Sequence, residues 1–142
     1  MSNFKTTPIK GKPYVMGKDR VIFFRENYLG WAIESELVKL SEGRCVIKAI
    51  IKDPDGVIKS TGYAEEIEGS TNINKTSYVE NCETSAITRA LGFMGIGVEE
   101  SMASAEDVAN AMLQLERSKQ QKKDGPVGQT PEEFQEIVSE KR

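Results

Sequence analysis

Five carboxylates are the side chains of this sequence best suited by type to carry out chemistry: Glu65, Glu66 and Glu68 in TGYAEEIEG, and Asp53 and Asp55 in DPDG. Gathered at one point, such groups would hold a divalent cation and cleave phosphodiesters. Alternation along a strand puts Glu65 on the face opposite Glu66 and Glu68, and a DPDG turn uses its aspartates for its own hydrogen bonds. Magnesium-dependent DNA degradation abolished by Glu66→Gln would identify the nuclease. The 142 residues contain no histidine, which removes Ser-His-Asp and Cys-His nucleophiles and His-ligated zinc. GFMGIG has a phosphate-loop look but follows a helix, and no GxxxxGK[ST] loop is present. Cys45 and Cys82 are not spaced as metal ligands and read as buried, reduced thiols. The expectation is a protein that is not an enzyme, with no catalytic, cofactor or metal residue assigned.

Basic residues offer a different chemistry. The net charge is −3, yet it is unevenly spread. Residues 1 to 63 hold 11 Lys and Arg against 7 Asp and Glu, and residues 64 to 142 hold 8 against 15. Lys5, Lys10, Lys12, Lys18 and Arg20 gather around Pro8, Pro13 and Tyr14, as in an extended basic arm, although a solvated tail has the same composition. In RCVIKAIIK, alternation puts Arg44, Val46, Lys48, Ile50 and Lys52 on one face and Cys45, Ile47, Ala49 and Ile51 on the other. One face is a basic stripe suited to a phosphate backbone or simply to solubility, and Lys59 extends it if the register permits.

The elements that position these residues can be read in order. DRVIFFRENYLG predicts a short helix over about 20–29, with Asp19 as its N-cap and Gly30 as its stop. WAIESELVKL, RCVIKAIIK and VIKSTGYAEEIE predict three strands joined at SEG and DPDG, an antiparallel meander. A polar loop, GSTNINKTS, leads into a long helix, and Ser104 with Asp107 caps another from about Ala105. The fold class expected is α+β, a β-β-β-α core with a short N-terminal helix and C-terminal helices. The expected organisation is an arm over 1–17, a core domain over 18–119, and a flexible linker with a short terminal helix over 120–142. Phe134, Ile137 and Val138 are too few to fold alone, so that last helix docks on the body, binds a partner or stays disordered. The start lacks the apolar stretch of a signal peptide and no run of about 18 apolar residues occurs, so a cytoplasmic protein with no membrane partner is expected.

The long helix, within ENCETSAITRALGFMGIG, has an unusual wheel. Val79, Cys82, Ala86, Ile87, Ala90, Leu91, Phe93 and Met94 share one arc, with Glu83 inside it, while Asn81, Thr84, Ser85, Thr88, Arg89 and Gly92 fill the other. A solvated face normally carries several charges, so this small, polar face reads as one that something lies against. Glu83 predicts a salt bridge to a strand lysine or to a neighbouring protomer.

RVI at 20–22, GW at 30–31, the DPDG hairpin, TGYAEEIEG at 61–69 and ETSAITRALGFMG at 83–95, after an NKTS loop, stand in one order. Together, over about residues 18 to 110, they resemble the single-strand annealing proteins of homologous recombination. That family includes the eukaryotic double-strand-break-repair annealing protein and the phage Sak and Erf groups. The resemblance implies ATP-independent binding of single-stranded DNA and annealing of complementary strands by a homo-oligomeric ring or filament. It further implies a bacteriophage protein in the host cytoplasm, with recombination or replication proteins as further partners through the C-terminal segment. The alternative is a single-strand binder that protects DNA or loads a recombinase without annealing. The positions matching the family's DNA contacts are Arg20, Thr88 and Arg89. Thr88 stands where the family has a second basic residue, and Lys75 in the preceding loop would compensate.

Overall fold

The computed structural model describes residues 4–123, with side chains to 120. Its elements are β1 (Thr6–Ile9), β2 (Lys12–Val15), α1 (Gly17–Asn27), β3 (Ala32–Ser41), β4 (Arg44–Lys52), β5 (Ile58–Ile67), a 3-10 turn (Ile73–Lys75), α2 (Tyr78–Phe93) and α3 (Ala105–Lys123). The architecture is α+β around an antiparallel sheet of order β3-β4-β5, with β1 and β2 forming a separate two-stranded sheet. Among the described residues, no helix is long and apolar enough to cross a membrane.

The hairpins follow from their turns. Ser41 pairs with Arg44, leaving Glu42 and Gly43 as a two-residue loop with φ of 56° and 71°. Positive φ at both positions matches the strand twist. The β4–β5 turn is held by Asp53, whose Oδ1 accepts from the N–H of Asp55 at 2.9 Å and of Val57 at 3.0 Å. The expected basic arm is instead a hairpin, in which Pro8 pairs with Pro13 and Lys10 and Gly11 turn the chain at φ of 48° and 81°.

The core forms between α2, α1 and one sheet face. Cys45, Ile47, Ala49 and Ile51 of β4 are buried, the inward set that alternation gives, and meet Cys82, Ala86, Ala90 and Leu91 of α2 and Phe24 of α1. Phe24, Tyr28 and Trp31 form an aromatic cluster with ring centroids 5.0 to 6.4 Å apart. The helix lies very close to β5. A Cβ on Gly62 would sit 2.5 Å from the Ala90 nitrogen and 2.8 Å from the Ala86 oxygen, so glycine is what permits this approach. Ser60 Oγ, two residues earlier, donates to the Ala90 carbonyl at 2.7 Å.

α1 begins three residues before the expected start, and Asp19 is not its cap. Gly17 opens the helix, and its N–H donates to both Glu106 carboxylate oxygens, at 2.9 and 3.2 Å. The first turn of α3 therefore caps α1 across 89 positions. Ser104 and Asp107 form the reciprocal cap expected for α3, with both bonds at 3.2 Å. α3 continues to Lys123, past the expected linker start at 120. The proposed C-terminal helix lies outside the described residues.

Candidate nucleic-acid interface

Arg20, expected at the entry to the first helix as a phosphate contact, is fully buried. Its Nη1 donates to the Thr88 carbonyl at 3.1 Å, and its Nη2 to the carbonyls of Gly97 at 3.2 Å, Ser101 at 3.4 Å and Met102 at 3.0 Å. Gly92 leaves room for it, since a Cβ there would lie 2.7 Å from Nη1. Burial pushes the guanidinium pKa below its ordinary value, opposed by the nearby carboxylates of Asp107 and Glu106. In this structure Nη1 and Nη2 are committed to carbonyls at the end of α2 and the following loop, and Nε, which has no partner, is buried out of a ligand's reach. Thr88 is also buried, its side chain against Gly17. Two of the positions carried by the resemblance thus make an internal joint, and the small residues Thr88 and Gly92 of α2 admit α1 and Arg20.

Arg89 lies elsewhere on the helix. It is exposed and makes no hydrogen bond or ion pair among the described residues. Its outward neighbours one turn apart are the half-buried Ser85 and the exposed Phe93, at 60 %. Glu83 accepts from Ser35 Oγ of β3 at 2.7 Å; within the chain its partner is a hydroxyl and not the expected lysine.

The loop before α2 is organised by Asn74, which is fully buried. Its Nδ2 donates to Glu66 Oε2 at 2.7 Å and Ser70 Oγ at 2.8 Å, its Oδ1 accepts from Asn81 Nδ2 at 3.1 Å, and its N–H donates to Thr71 Oγ1 at 3.2 Å. One amide therefore ties β5, the loop and α2 together, and Glu66 is a structural acceptor. Lys75 follows this anchor and is exposed. At the head of α2, partial desolvation and then Glu68 raise the Tyr78 phenol above its ordinary pKa, keeping it neutral.

The outward face of β4 does carry Arg44, Lys48 and Lys52, but its neighbours neutralise the stripe. Arg44 Nη2 meets Glu65 Oε1 of β5 at 2.9 Å, and Lys52 Nζ meets Glu34 Oε2 of β3 at 3.0 Å. Lys48 is opposite Glu36 in the register and lies 5.8 Å from the Tyr63 ring centroid. Lys59 approaches Asp53 at 3.6 Å. Read one strand at a time the face is basic; with all three strands in register it is mixed. The acids are thereby dispersed, with Glu65 on Arg44, Glu66 on Asn74 and Asp53 in its turn. No group of three or more metal-ligating side chains occurs among the described residues. Lys18 is exposed in the first turn of α1, and Lys10 and Lys12 are exposed on the hairpin.

A family model described as Slr1353 N-terminal dsRNA-binding domain-like matches residues 22–94. The chain belongs to this family. No curated protein and no solved structure matches it. The family segment runs from within α1 to the end of α2 and includes the sheet, the Asn74 loop, Lys75 and Arg89. Arg20, the β1–β2 hairpin and α3 lie outside it.

Proposed function

We propose that the chain binds single-stranded DNA by its phosphate backbone and anneals complementary strands without ATP, as a homo-oligomer acting in homologous recombination. The observation that carries the reading is Arg89, an exposed, unpaired guanidinium on the outward side of α2 between Ser85 and Phe93, whereas Arg44, Lys48, Lys52 and Lys59 of the sheet have acidic or aromatic neighbours. Guanidinium binds phosphate oxygens in a fork and stays charged at any physiological pH. A surface that grips phosphates leaves base edges free to pair, as annealing requires. Lys75 and Lys18 are the further exposed cations assigned to the backbone. Self-association is supported by β3, an edge strand whose Leu37 and Leu40 remain 54 % and 48 % exposed.

The family description favours a second reading, binding of duplex RNA, which recognises A-form shape through phosphates and 2′-hydroxyls. Competition gel shifts among oligo-dT, duplex DNA and duplex RNA separate the two readings. Preference for oligo-dT, with faster annealing of complementary oligonucleotides, supports the first; preference for duplex RNA replaces it. Tight oligo-dT binding without faster annealing identifies a protective or recombinase-loading protein.

A further inference from the structure

A cleft of about 350 Å³ opens between the Asn74 loop and α3, lined by Ser70, Thr71, Asn72, Lys75, Leu113 and Arg117. Five of these six side chains are polar, two are cations, and none is a carboxylate. Arg117 is exposed and, like Lys75, has no ion pair among the described residues. Two like charges from separate elements lining one cleft both attract an anion placed between them. The rim opposite α3 is fixed in advance, because Asn74 bonds to Ser70, Thr71 and Glu66 beneath it. A rigid loop loses little entropy when a ligand docks.

We propose that Lys75 and Arg117 close on a backbone phosphate of bound nucleic acid, making this cleft a phosphate subsite with Ser70 and Asn72 as neutral donors. The assignment rests on the nucleic-acid reading above and adds α3 to the binding surface. Because Arg117 lies outside the family segment 22–94, the subsite is a contribution of the flanking helix.

The test measures oligo-dT affinity over a salt series by fluorescence anisotropy for the full chain and for Arg117→Ala, Lys75→Ala, Arg89→Ala and Lys119→Ala. Melting temperatures show that each variant folds. Arg117→Ala and Lys75→Ala should each lower the slope of log affinity against log salt by about 0.7, while Lys119→Ala, outside the cleft, changes neither slope nor affinity. If Arg117→Ala leaves both unchanged while Arg89→Ala lowers them, the subsite is wrong and the nucleic-acid reading stands. If the unmodified chain binds neither oligo-dT nor duplex RNA, both fall. Titration with inorganic phosphate, followed by phosphorus NMR, addresses the other source of the anion. Phosphate binding lost in Arg117→Ala, with oligo-dT binding intact, would make this a free-phosphate site and overturn the backbone assignment.

Discussion

Arg20 Nη1 donates to the Thr88 carbonyl at 3.1 Å, so two residues at positions where the family resemblance places DNA contacts are bonded to each other inside the protein. The bond joins the first turn of α1 to the last turns of α2, and three more carbonyls bring in the segment after α2. A guanidinium has a fixed fork of donors, and here most of them are used. Arg20 belongs to stability, and Arg89 carries the case for binding.

Arg20→Ala should therefore destabilise without acting directly on the ligand. It removes the side-chain donor shared by the Thr88, Gly97, Ser101 and Met102 carbonyls and opens a void, a loss of about 3 to 5 kcal/mol. In differential scanning calorimetry this should appear as a fall in melting temperature on the order of 10 °C or more. An unchanged melting temperature would contradict the buried joint.

Arg89→Ala has the opposite signature. The variant should melt as the unmodified protein does and bind oligo-dT more weakly, with the salt slope reduced by about 0.7. The loss should be equal for mixed sequence, since a phosphate contact reads no base. Sequence-dependent losses would place Arg89 at a base edge.

Gly62→Ala tests the contact between α2 and β5. The added methyl meets the Ala90 nitrogen and Ala86 oxygen, which are backbone atoms and cannot rotate away. Pushing the helix off the sheet should cost about 1 to 3 kcal/mol, measured by urea unfolding. A neutral variant would show that the helix shifts freely.

Asn74→Ala should cost about 1 to 3 kcal/mol by leaving Glu66 Oε2 without its buried donor. Asn74→Asp should be worse at pH 7, because a second carboxylate then faces Glu66 at close range. That variant should recover stability on acidification, as one proton shared by the pair relieves the repulsion. Thermal melts between pH 4 and 7 for both variants check the difference in sign.

Cys82 gives an alkaline prediction. Burial, together with the adjacent Cys45, pushes its thiol up to about 12. The folded state holds this proton more tightly than the unfolded chain does, so the contribution is complete below the ordinary thiol pKa of about 8.5 and is lost as pH rises towards 12. Cys82→Ala should melt with a shallower decline above pH 9 than the unmodified protein. At pH 8, a thiol reagent should label Cys82 only on unfolding.

The sheet was legible in the sequence because its signals are local. Alternation in RCVIKAIIK and the turns SEG and DPDG are set by residues within a few positions of one another. The β1–β2 hairpin is not legible, because Lys10-Gly11 is a weak turn signal beside two prolines that read as extended chain. The place of Arg20 is not legible for a different reason: its partners lie 68 to 82 positions away, and burial of an arginine has no local signature. Alternation puts Arg44, Lys48 and Lys52 on one face of β4, but their neutralisation depends on the registers that bring up Glu34 and Glu65, which a single strand does not reveal. Thr88 and Gly92 read as a ligand-facing surface because a helical wheel cannot distinguish solvent from a second helix.

The joint at Arg20 also bears on the order in which the chain folds. The three hairpins close over a few residues each, whereas the joint brings residue 20 to carbonyls at 88, 97, 101 and 102 and needs both helices already in place. Contacts of such separation are entropically expensive until the rest of the chain has condensed, so they are expected to form after the transition state. Loss of the joint should then leave the refolding rate nearly unchanged and appear almost entirely as faster unfolding. On that expectation Arg20 is a latch, one that sets how long the native protein persists and not how quickly it is reached.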